Sequence, residues 1–159
     1  MYVDSQNLFT GTPAAPAQAV TNSIISANVI DTLTTSSGGS GTPINTLQAL
    51  GVGECLYLVV HTVVGFGTSA NTLTVTLETS ANADLSSGVV LAASPAIATS
   101  ALTAAGALIF NTRLPVADYR RYLGLRFTCS AALTTGTVQA FLTTAVQANF
   151  AHINNFVAV

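Results

Sequence analysis

The ionisable side chains of this chain are few, and their spacing decides what chemistry is open to it. The carboxylates are Asp4, Asp31, Glu54, Glu78, Asp84 and Asp118, the histidines His61 and His152, and the thiols Cys55 and Cys129. Metal sites draw on such groups at short spacings, as in H-x-x-x-H or C-x-x-C. Neither spacing occurs here. A nucleophilic Ser, Thr or Cys needs a base beside it, and there is no G-x-S-x-G elbow to set one up. Gly51-Val52-Gly53 precedes a strand pattern rather than opening a helix, so it reads as a turn and not as a phosphate cradle. His61 falls within an apolar run and reads as a packed or interface histidine, and His152, among Asn and Phe, reads as an interface group. No catalytic, cofactor-binding or metal-binding residue is assigned, and the chain is expected not to be an enzyme.

One cluster stands out. Asp118-Tyr119-Arg120-Arg121-Tyr122 concentrates the charge of the chain. Arg and Tyr are enriched at interface hot spots, so these five residues are expected to form a contact patch. The competing reading is a solvated loop before a strand. The first nineteen residues add to the expected contact. Pro13, Pro16 and Gly11-Thr12 disfavour regular structure there, while Tyr2, Leu8 and Phe9 supply apolar anchors. Residues 1–19 are therefore expected to form an extended arm, with Tyr2, Asp4 and Phe9 among the contact residues; a frayed terminus is the plainer alternative.

The elements that must position these groups are strands. Leu73, Val75 and Leu77 alternate with Thr72, Thr74, Thr76 and Glu78, the pattern of a half-buried strand. Leu123, Leu125, Phe127 and Cys129 alternate with Tyr122, Arg126 and Thr128 in the same way. Leu56 to Val64 is more continuously apolar and reads as a central strand covered on both faces. Further strands are expected at 23–31, 89–93, 107–112 and 137–147, with turn clusters at 36–41, 65–68, 80–88 and 131–136. Ile97 to Gly106, rich in Ala, is expected to hold one helical turn. Seven or eight short strands so punctuated indicate an all-β sandwich or barrel, here one domain over residues 20–159 behind the arm, with 36–41 a flexible loop inside it.

Composition narrows the function. Only 6% of the 159 residues are charged, against about 25% in an ordinary soluble domain. There is no lysine, and the four cations are Arg113, Arg120, Arg121 and Arg126. A net charge of −2 with no basic stripe argues against nucleic-acid binding. Mean hydropathy is +0.58, yet the longest apolar stretch, broken by His61, Thr62 and Gly65, is too short for a spanning helix. A membrane barrel is harder to exclude, since alternation is its only signature, but with no Trp and only four Tyr its aromatic girdles are not evident. The opening residues carry no Lys or Arg and are read as lacking a secretory signal. Cys55 and Cys129 are accordingly read as reduced small hydrophobes; a disulfide between them would require neighbouring strands. So weakly charged a surface is expected to be covered by protein.

Several segments in order, Met1 to Thr10, Ala17 to Thr21, Ser26 to Asp31, Gly51 to Val60, Leu73 to Ser80, Arg121 to Phe127 and the tail containing Gln147, resemble the small capsid cement, or decoration, proteins of tailed bacteriophages. The likeness runs over nearly the whole chain, with 36–46 looking like an insertion. The resemblance implies a jelly-roll fold, no cofactor and no catalysis. It also implies a symmetric homo-oligomer, dimer or trimer, made in the host cytoplasm and seated on the outer surface of the virion, where it bridges major capsid protein subunits. The rival expectation is a carbohydrate-binding β-sandwich of a phage or surface appendage, for which Tyr119 and Tyr122 would supply the sugar platform.

Overall fold

The computed structural model describes residues 7–37, 43–47 and 55–144. Tyr2, Asp4, Glu54 and His152 lie outside them. Two antiparallel sheets pack face to face. The first has the order β1 (Gln18–Ala19), β12 (Thr137–Thr143), β6 (Tyr57–Val64), β10 (Leu108–Arg113). In the second, β2 (Ile24–Ile25) and β3 (Ile30–Asp31) both lie beside β11 (Tyr122–Cys129); β7 (Thr72–Ser80) follows, then β8 (Val89–Ala93) and β9 (Ile97–Ala98). The chain passes back and forth between the sheets, and each sheet interleaves early strands with late ones. This is jelly-roll wrapping, and the all-β antiparallel sandwich expected from the alternation is the fold observed.

Period-two patterning builds the core. Leu73, Val75 and Leu77 of β7 and Leu123, Leu125 and Phe127 of β11 are fully buried, with Leu125 opposite Leu77 and Phe127 opposite Val75. From the other sheet come Leu58 and Val60 of β6 and Val138, Ala140 and Leu142 of β12. Thr62 also points inward; its hydroxyl donates to Ala104 O at 2.6 Å and accepts from Ala107 N at 2.9 Å, so no polar group is stranded.

Four expectations are modified. The strand expected over 23–31 is split into β2 and β3, because Ser26 intervenes: its hydroxyl accepts from Leu125 N at 3.0 Å and donates to Asn28 O at 2.8 Å. Ser36 and Ser37, expected in the 36–41 loop, belong instead to β4 (Leu33–Ser37), which pairs antiparallel with β5 (Pro43–Leu47) outside both sheets of the sandwich; the rest of the expected loop lies outside the described residues. Of the expected helical turn, a single 3-10 turn at Thr99–Ala101 is present. The arm is the main correction. Residues 7–19 belong to the sandwich: Leu8 bridges to Phe141, Phe9 N donates to Ala140 O at 2.9 Å, and the Phe9 side chain is fully buried in the core. Phe9, expected at a partner contact, instead anchors the chain to its own sheet, since a ring with no exposed surface has none to offer.

Candidate functional site

The loop between β10 and β11, residues 114–121, carries the expected patch, and the structure divides its residues into two groups. One builds the loop. Leu114 is buried and its amide donates to Leu56 O at 2.8 Å. The Tyr119 ring packs against the core and its phenol donates to Pro115 O at 2.5 Å, closing a five-residue turn. Desolvation pushes the Tyr119 phenol above the ordinary tyrosine range. The Arg120 amide donates to Thr79 Oγ1 at 2.8 Å, and its guanidinium reaches Ser87 O at 3.0 Å. Thr32 fixes the exit of the loop, its amide and hydroxyl each donating to Arg121 O at 2.8 Å.

Arg121 is engaged as well. Its Nε and Nη2 form a fork on the Asp31 carboxylate, with the shortest contact 2.9 Å, and its guanidinium carbon stands 4.9 Å from the centre of the Tyr122 ring. The pair raises the Arg121 pKa, chiefly through the hydrogen bonds to Asp31. Being exposed, it contributes little to stability. The loop turns Val116, Ala117 and Asp118 outward, with Val116 projecting completely at 102%, and Arg120 and Arg121 are exposed as well. Of the patch expected at 118–122, Asp118, Arg120 and Arg121 are exposed, the two arginines also making contacts within the chain, while Tyr119 and Tyr122 are half-buried. Val116 was missed, since a valine between Pro115 and Ala117 gives no sign in the sequence of which way it points.

A second constellation lies on the outer face of β7 and β11. Glu78 is almost fully buried there and accepts from Arg126 Nε and Nη2, each at 2.9 Å, and from Thr76 Oγ1 at 2.8 Å. Arg126 Nη2 also donates to Leu85 O at 3.2 Å. The alternation places both charges outward on neighbouring strands, but the loop that covers them is visible only in the fold. His61, on the outer face of β6, makes an edge contact with Phe141, ring centres 5.9 Å apart. Burial lowers its pKa, partly offset by a hydrogen bond with Gln139. Cys55 and Cys129 are free. Among the described residues, no three His, Cys, Asp or Glu side chains gather into a metal-binding group, and no helix is long and apolar enough to cross a membrane.

Compared with known proteins, residues 14–142 match the family model described as Bbp16. No curated protein matches the chain.

Proposed function

The chain belongs to the Bbp16 family, and for this member we propose a structural role: a non-enzymatic capsid cement protein that sits on the outside of a phage head and ties neighbouring major capsid subunits together. One observation carries the reading. The sequence likeness to cement proteins implies a jelly roll, and the strand order β1-β12-β6-β10 over β2/β3-β11-β7-β8 is that fold. The segments that carry the likeness, around Tyr57–Val60, Leu73–Ser80 and Arg121–Phe127, form its central strands. The scarcity of charge supports the same reading, because a surface destined to be covered needs little of it.

The physics is linkage. A protein that binds the assembled shell and not its free subunits lowers the free energy of the shell by mass action, and a symmetric oligomer adds multivalency. The sugar-binding alternative is less well supported, since Tyr119 is tied to its own loop and Tyr122 lies beneath Arg121. The test is to mix the purified protein with heads lacking cement protein and to sediment them. Saturable co-sedimentation and a higher melting temperature of the heads are expected, with light scattering of the free protein giving a dimer or trimer. Protein left in the supernatant would sink the shell reading, and a monodisperse monomer would sink the oligomer.

A further inference from the structure

We infer that the sandwich docks by one end, the end whose loops carry no charge, and that the charged end faces water. The strand connections fix which loops meet. Val20 N donates to Gly136 O at 3.0 Å, Leu133 N to Thr21 O at 2.7 Å, Phe66 N to Leu102 O at 2.9 Å and Thr99 N to Asn71 O at 2.9 Å. The connections after β1, β6, β9 and β11 therefore gather at one end of the sandwich. Residues 19–24, 62–72, 95–108 and 128–138, which build that end, include no Asp, Glu, Lys, Arg or His. The opposite end holds Asp31, Asp84, Arg113, Asp118, Arg120 and Arg121. Arg126, at mid-strand, pairs with Glu78, two register positions nearer that charged end.

Charge, and not apolar exposure, tells the two ends apart. Large exposed hydrophobics occur at both: Ile24, Val63, Val64 and Leu108 toward the neutral end, Val89, Val90 and Val116 toward the charged one. Covering the charged end would take Asp84, Asp118, Arg120 and Arg121, all exposed, out of water, and a desolvated charge is costly unless the partner supplies its match. Covering the neutral end desolvates only hydroxyls, amides and apolar groups, and the cores of protein interfaces are depleted in charge in the same way. The neutral loops are also fastened before docking. Besides the four backbone bonds, Thr62 Oγ1 donates to Ala104 O at 2.6 Å, and the Ser69 and Thr99 hydroxyls are hydrogen-bonded at 3.1 Å. Little conformational freedom is left to lose. The occupant is accordingly an uncharged area of a protein surface, since a charge facing this end would be stripped of water and left unmatched. On the function proposed above, on which this inference rests, that area lies on the outer surface of the assembled shell. The charged end, left in water, keeps the coated particle soluble.

The test moves one charge between the ends. Ala105 and Ala131 are exposed at the neutral end and Ala117 at the charged end. Full-length Ala105→Glu, Ala131→Glu, Ala117→Glu and the uncharged control Ala105→Gln are mixed with cement-free heads, and the mass of each free protein is measured by light scattering. Ala105→Glu and Ala131→Glu are expected to weaken binding at least about tenfold at unchanged melting temperature. Ala105→Gln should lose less, and Ala117→Glu should bind as the unaltered protein does. Equal binding by the three Glu variants, or a loss confined to Ala117→Glu, overturns the choice of end and leaves the shell reading standing. Disassembly of the free oligomer by Ala105→Glu gives the neutral end to a second copy and overturns the inference as well. Failure of the unaltered protein to bind heads overturns the inference and the shell reading together.

Discussion

At the scale of single residues, the sandwich keeps an imidazole where its neutral form is favoured. His61 is half-buried against Phe141, and desolvation lowers its pKa below the ordinary 6.5. The unfolded chain therefore takes up a proton on this residue more readily than the folded one. Stability from this site is complete above about pH 6.5 and declines as the pH falls below it. Urea melts at pH 7.5 and pH 5.5 should show the folded state losing ground at the lower pH, and His61→Gln should reduce the difference; an equal difference in the variant would remove His61 as its source. The sequence identified His61 as a packed histidine because the apolar run around it is visible. It was silent on Phe141, eighty residues on, because that contact exists only once β12 lies beside β6.

Between residue and fold lies the element, and the instructive one is the connection from β7 to β8. Residues 81–88 fold back over the outer face of the second sheet. Leu85, at φ 55°, inserts over Gly124 and is 1% exposed; a Cβ at Gly124 would stand 2.7 Å from Leu85 Cδ1. Ser87, at φ 53°, is a second left-handed residue in the same loop. Such backbone persists only when neighbours hold it, and Arg126 is the neighbour that joins Leu85 O to the Glu78 carboxylate. Leu85→Ala is expected to cost about 2–5 kcal/mol, as for other buried leucines. Arg126→Met, which leaves the Glu78 carboxylate short of donors, should cost about 1–3 kcal/mol. Chemical denaturation measures both, and a neutral Arg126→Met would show that Glu78 does not depend on the clamp. The strands β6, β7, β8, β11 and β12 were legible because period-two patterning and flanking turns mark them directly. The covering loop was not, because Ser80 to Gly88 reads as an ordinary turn cluster until Leu85 is seen beneath it. The arm was misread for a related reason: Gly11, Pro13 and Pro16 break the local pattern, while the ladder that recruits Leu8 and Phe9 comes from β12.

For the whole molecule, the sparse charge sets how it behaves in solution. With a net charge of −2 at pH 7 and an isoelectric point near 5.4, little repulsion separates one copy from another. Turbidity of the concentrated protein should peak near pH 5.4, and a flat profile from pH 4.5 to 8 would show that charge is not what keeps it dispersed. The topology has a temporal consequence too. Thr10 and Ala140 are hydrogen-bonded partners 130 residues apart, so the edge of the first sheet cannot close until β12 has left the ribosome. At roughly 5–20 residues per second, the interval between the synthesis of these two segments is on the order of 10 s. Through that interval Leu8, Phe9 and Val20 have no β12 to pack against. Slower translation lengthens the wait, so a host with ample holdase chaperone should yield more soluble protein than one without.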